Sequence, residues 1–206
     1  MNFLAHLYLS GEDEDLMLGN FIADMVKGRQ IEKFHQGIIN GILLHRKIDA
    51  FTDTHPTVEK SKMRLRNKYR LYSSVIVDMY YDHYLARNWQ EYSNHSLEDF
   101  VKHVYNMLLK NYFLLPVRAR YMIPFMITSN WLVGYSHLDR LQQVFEGMAR
   151  RTPFRSGMEN AVIDLVAYYK DFETEFHSFF PELVLYVEKL GVSHQHHNTG
   201  WSSNKP

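Results

Sequence analysis

The sequence contains no cysteine. That removes thiolate nucleophiles, zinc ribbons, iron–sulfur clusters and disulfides together, and it fits a reducing compartment. Surplus charge is lacking as well, because 23 Lys and Arg balance 23 Asp and Glu. A neutral balance argues against a nucleic-acid coat protein, which needs a basic excess. Long apolar runs are missing too. The most apolar stretch, residues 121–135, is too short to span a bilayer and contains Pro124. The opening Met1-Asn2-Phe3-Leu4-Ala5-His6-Leu7 has no basic leader. These absences predict a soluble, cytoplasmic protein with no membrane or nucleic-acid partner. Several motifs are absent: the Gly-rich phosphate loop, His-Glu-x-x-His and the Gly-x-Ser-x-Gly elbow. Glu32–His35 supplies only half of a di-iron bundle signature.

What remains is 206 residues of ordinary globular composition, 46% hydrophobic and 22% charged, enough for one domain with its own core. Hairpin signals and internal repeats are not found, and helical periodicity dominates. It predicts an all-α fold of about eight to ten helices, over residues 3–10, 16–26, 35–50, 57–67, 72–89, 97–109, 116–123, 124–133, 138–149 and 155–190. The last is expected to break near Pro181. A single domain over 1–190 is followed by a polar tail, 191–206, whose His194, His196 and His197 are assigned no role.

Twelve histidines, several beside carboxylates, stand out. Without cysteine, a metal here must be held by nitrogen and oxygen, which points to Mn, Mg, Fe or Zn. His45 and Asp49 are four apart and share a helix face with Ile38 and Ile42. Asp53 extends that line if the helix continues. The plainer alternative is a satisfied His–Asp hydrogen bond. A second stripe is Val75, Asp78, Asp82, Leu85 and Trp89, flanked by His83. Two carboxylates in an apolar stripe are costly to bury and repel each other four apart. A shared divalent cation relieves both penalties; arginine pairing or a protonated carboxyl is the alternative. His6, in an apolar run, and Asp24 are weaker candidates. Lys60, Arg64 and Lys68, with Lys62, Arg66 and Arg70, form two adjacent basic rows on a helix, either a solvated face or a dock for an acidic partner. Arg150, Arg151 and Arg155 make a basic knot suited to phosphate.

Several words of sequence occur in an informative order: Asn2-Phe3-Leu4-Ala5-His6-Leu7, Gly19-Asn20 with Ala23-Asp24, His45-Arg46 with Ile48-Asp49 and Thr52-Asp53, Asp78 with Asp82-His83, Leu85 and Trp89, Trp131-Leu132-Val133 with Tyr135, and Gly147-Met148-Ala149 with Arg151 and Pro153. Together they resemble the acyl carrier protein phosphodiesterase family. That family is similar to the HD phosphohydrolases, helical metal enzymes, in a non-standard form, since this chain has no His-Asp dipeptide and carries Asp82-His83 instead. The resemblance implies an HD-like helical domain and hydrolysis of the phosphodiester joining 4′-phosphopantetheine to a serine of holo-acyl carrier protein. The implied cofactor is Mn²⁺, with Mg²⁺ or another divalent ion as alternatives. His6, Asp24, His45, Asp49, Asp78, Asp82 and His83 are expected to supply the metal ligands and their supports. Asp53 is the candidate proton acceptor or ligand-orienting carboxylate. Arg46 and Arg151 are candidates for stabilising phosphoryl charge. Acyl carrier proteins are small and acidic, so the basic rows Lys60–Arg70 acquire a candidate partner. An HD-like hydrolase of a small phosphodiester or nucleotide, and a non-enzymatic helical binder of acidic proteins, are the two other readings. Oligomeric state is not legible.

Overall fold

A computed structural model describes residues 1–152 and 154–192, and the predicted tail lies almost wholly outside them. Among the described residues there is no strand, and eleven α-helices joined by 3-10 turns pack around one core. No helix among them is long and apolar enough to cross a membrane.

The helices are α1 (Phe3–Tyr8), α2 (Glu14–Ile22), α3 (Gln36–Thr54), α4 (Pro56–Tyr69), α5 (Ser73–Arg87), α6 (Leu97–Lys110), α7 (Val117–Thr128), α8 (Trp131–Gly134), α9 (Leu138–Arg151), α10 (Ala161–Ala167) and α11 (Tyr169–Lys189). Local chemistry fixes many of their ends. Asp13 accepts from the Asp15 and Leu16 amides and caps α2, and Ser96 caps α6 by accepting from Asp99 N. His55 caps α4, where Pro56 at the first position has no amide to leave unpaired.

α5 and α11 form the centre. Tyr80, Tyr81 and Tyr84 of α5 meet Phe172, Phe176 and Phe179 of α11 with ring centroids 5.0–5.9 Å apart. Rings of this size dominate core energetics and prefer such tilted or edge-on contacts. α4 is tied to α11 by Arg64, whose guanidinium donates to both oxygens of buried Glu175 at 2.7 and 2.8 Å.

α2 and α3 touch backbone to backbone. A Cβ on Gly19 would stand 2.1 Å from the Ile38 carbonyl, and one on Gly41 would stand 2.4 Å from the Leu16 carbonyl. Only glycine at both positions permits this approach, which brings Asn20 of α2 against His45 of α3.

Two expected breaks fail. Pro124 lies inside α7 rather than starting a new helix. The Arg120 carbonyl that it leaves without an amide accepts from the Tyr112 hydroxyl at 3.2 Å. The real break comes at Asn130, in left-handed conformation at φ 44°. Pro181 does not break α11, because it faces solvent while Phe179, Phe180 and Leu183 anchor the helix on both sides of it. The long segment instead breaks at Tyr168, between α10 and α11.

Candidate metal centre

Three pieces of chain meet at one point. α1 brings His6, α3 brings His45 and Asp49 one turn apart, and the 3-10 turn Ala23–Met25 brings Asp24. His6 Nε2 lies 3.2 Å from Asp49 Oδ1, and His45 Nε2 lies 3.1 Å from Asp49 Oδ2 and 3.4 Å from Asp24 Oδ1. The two imidazoles stack at 3.9 Å between centroids, 16° from parallel. One ligand atom from each of His6, His45 and Asp49 lies within 4.8 Å of the others. The histidines are buried, Asp49 is partly exposed, and Asp24 forms the solvent side.

The hydrogen-bond pattern fits a cation. Both ring nitrogens of His6 and Nε2 of His45 are buried with no aligned hydrogen bond, although the carboxylates are near enough for ion-pair contact. His45 Nδ1 is the exception, sitting 2.9 Å from the Asn20 carbonyl and 3.0 Å from Asn20 Oδ1. A carbonyl only accepts, so Nδ1 carries a hydrogen and Nε2 faces the cluster, the orientation that a metal-binding histidine needs once its Nε2 proton is displaced.

The electrostatics agree. Burial works against a charged His45, but Asp24 and Asp49 outweigh it and push the imidazole up to about 9. Burial, aided by positive His45, lowers His6 to about 4. Asp49 is held well below the usual carboxylate range despite burial, by His45 and His6. A divalent ion at this point satisfies the same carboxylates as the His45 proton.

The second predicted constellation does not join the cluster. Asp78 Oδ1 accepts from the Met1 ammonium at 2.8 Å. Asp82 is fully buried and accepts from the Asn2 and Leu4 amides at 3.1 and 2.8 Å, holding the first turn of α1. Burial pushes Asp82 up to about 7, against the terminal ammonium and those two amides. The α5 carboxylates thus answer the Met1 ammonium and the N-terminus of α1. His83 lies elsewhere, with Nδ1 2.7 Å from the Tyr135 carbonyl and Nε2 2.8 Å from the Tyr169 hydroxyl.

Asp53 does continue the α3 line, but it pairs with the Lys62 ammonium at 2.8 Å and leaves the cluster to Asp49. Arg46 is exposed on α3. Arg151 lies in a groove between α7, α8 and α9, its Nε donating to the Gly147 carbonyl at 3.0 Å.

The basic rows of α4 are not free cations. Lys62 is buried on Asp53, Lys60 and Arg64 engage Glu175, Arg66 engages Glu59, and Lys68 engages Asp164. Only Arg70, just past α4, has no such pair among the described residues. The sequence pattern shows the rows but not the acids from α3, α10 and α11 that neutralise them. Two participants escape sequence reasoning altogether: Asn20 as the anchor of His45, and the Met1 ammonium. Asn20 has a signal, the Gly19–Gly41 contact, legible only once the helix pairing is known.

An all-helical fold that closes on a sulfur-free His/His/Asp cluster defines the class, a helical protein with a candidate divalent-metal centre. The family model described as acyl carrier protein phosphodiesterase matches residues 1–183, and this chain belongs to that family. Curated relatives agree. The acyl carrier protein phosphodiesterase of Photorhabdus laumondii is 33% identical over 89% of this chain and 93% of its own length. The Escherichia coli protein of that name is 34% identical over 93% of this chain and 100% of its own, and that of Yersinia enterocolitica is 32% identical over 89% and 96%. No solved structure matches the chain.

Proposed function

We propose that this protein hydrolyses the phosphodiester between 4′-phosphopantetheine and the serine of holo-acyl carrier protein, releasing apo-carrier protein and 4′-phosphopantetheine. The observation that carries the reading is the convergence of His6, His45 and Asp49, with unpaired ring nitrogens, in a chain of this family. These three, with Asp24 on the solvent side, are the residues that would hold a divalent ion, Mn²⁺ before Mg²⁺. Such an ion supplies Lewis acidity toward phosphoryl oxygens and lowers the pKa of water near it.

The chain's own groups do the rest. Asn20 holds the His45 tautomer, so that Nε2 always faces the centre. Asp49 stays ionised and spans both imidazoles. Asp24, ionised and mostly exposed, is the carboxylate placed to take a proton from the solvent side. Asp82 acts at a distance by fixing the first turn of α1 and hence His6. A cytoplasmic setting suits both a cysteine-free chain and a soluble carrier substrate.

The test is a mass spectrum of holo-acyl carrier protein incubated with the protein and Mn²⁺, with and without chelator. The expected result is a chelator-sensitive loss equal to the phosphopantetheine group, abolished in folded His45→Ala and Asp49→Ala variants. An unchanged carrier mass, with Mn²⁺ bound at this centre, would overturn the carrier substrate in favour of a small phosphodiester.

A further inference from the structure

Cationic charge is unevenly placed in this neutral chain. Residues 111–157 contain six arginines, no lysine, and only two acids, Asp139 and Glu146. Five of the six, Arg118, Arg140, Arg150, Arg151 and Arg155, are exposed. Their partners contrast with those of α4. Among the described residues only Arg150 has a carboxylate in ion-pair range, Glu146 at 4.0 Å. Arg140 reaches only Gln143, at 3.5 Å, and Arg151 only a backbone carbonyl.

The same region exposes apolar surface in an ordered way. Val117, Tyr121 and Phe125 repeat every fourth residue along α7 and are 56%, 74% and 70% exposed. Such a stripe on the outside of a helix is uncommon without a binding role. Phe125 also lines a groove of about 670 Å³ whose walls include Trp131, Val144, Arg140, Arg150 and Arg151. The inner wall backs onto the metal centre. The Trp131 ring meets Phe3 edge-on at 6.4 Å, and Phe3 stands one turn before His6 on α1.

Resting on the proposed function, we infer that the α7–α8–α9 face, and not the basic rows of α4, is where the acidic carrier protein docks. The apolar stripe packs against the carrier's surface, and the exposed arginines, of which among the described residues only Arg150 has a carboxylate in range and that at 4.0 Å, meet its carboxylates. An apolar middle with a cationic rim is the usual anatomy of a protein interface, and arginine, with its planar fork, is the cation that holds carboxylates bidentately. Exposed cations without internal partners also steer an anionic partner from a distance, an effect that salt screens.

The test measures binding of fluorescently labelled apo-carrier protein, which has no phosphodiester to cleave, at low and moderate salt. Arg140→Glu/Arg150→Glu should weaken binding about tenfold or more and flatten its salt dependence. Phe125→Ser should weaken it with the salt dependence kept. Arg66→Glu/Arg70→Glu, on the α4 side, should change it less than about twofold. With holo-carrier, the α9 variant should raise KM and leave kcat unchanged. Equal binding by wild type and the α9 variant overturns the docking face, as does an equal loss in both double variants. So does binding to anionic phosphatidylglycerol vesicles with none to the carrier. Absence of phosphopantetheine release by wild type with Mn²⁺ counts against the proposed reaction alone, because apo-carrier binding is read separately.

Discussion

Asn20 and His45 show how much of the centre depends on groups outside the ligand set. Asn20→Ala leaves the His45 Nδ1 with only the backbone acceptor and strips the His6 carbonyl of its Nδ2 donor, loosening both imidazoles. We expect Mn²⁺ affinity to fall about 10–100-fold with the fold intact, by titration calorimetry and circular dichroism. Asp82→Ala, by contrast, should act on stability. It strips the Asn2 and Leu4 amides of their acceptor and should cost about 2–3 kcal/mol in urea unfolding at pH 8. His83 sets a pH dependence. Burial lowers it to about 4 from an ordinary 6.5, so below pH 6.5 the unfolded chain takes up a proton that the folded chain refuses. Its contribution is complete above pH 6.5 and is lost as pH falls toward 4, on the order of 3 kcal/mol at most. His83→Gln should flatten that part of the stability profile. At this scale the sequence is half legible. His6, Asp24, His45 and Asp49 can all be named from it. For Asp78, Asp82 and His83 the partners are not legible, because a stripe of carboxylates does not reveal an ammonium and two amides as its counterparts, nor the Tyr135 carbonyl and Tyr169 hydroxyl beside His83.

Helix identity is readable from periodicity, and a helix start is readable where a capping side chain carries it, as at Ser96 before α6. Ends governed by distant contacts are not. Pro124 signals a break, yet Tyr112 supplies the missing donor from beyond α7. Tyr112→Phe should therefore destabilise by about 1 kcal/mol in wild type, and less in a Pro124→Ala background, where the substituted residue brings its own amide; a double-mutant cycle by chemical denaturation reads the coupling. The α2–α3 contact joins element to site. Gly41→Ala places a methyl against the Leu16 carbonyl and must push the helices apart. Because Asn20 rides on α2 and His45 on α3, the variant should lose both stability and Mn²⁺ affinity, whereas Asn20→Ala loses mainly the second.

Taken whole, the molecule divides its labour. The α5–α11 aromatic layer supplies cohesion, and Phe176→Ala there should cost about 3–5 kcal/mol in chemical denaturation while leaving the His6/His45/Asp49 cluster of the folded protein unaltered. The all-α class and a single core follow from pattern alone, since binary patterning needs no knowledge of partners. The distribution of free charge does not follow, because it depends on which acids fold back onto which bases. Glu175 alone silences two α4 cations, while the arginines of α9 meet almost none. The grip of Asp82 on the first turn of α1 has a further consequence, in time. A ribosome makes Asp82 almost eighty residues after the turn that it holds. α2 can receive α1 early, through Asn20 and Phe21, but the first-turn amides of α1 have no carboxylate acceptor until α5 has left the exit tunnel. Until then the turn that sets His6 beside His45 and Asp49 is held from one side only, and a nascent chain stalled before α5 carries a loosely fixed cluster.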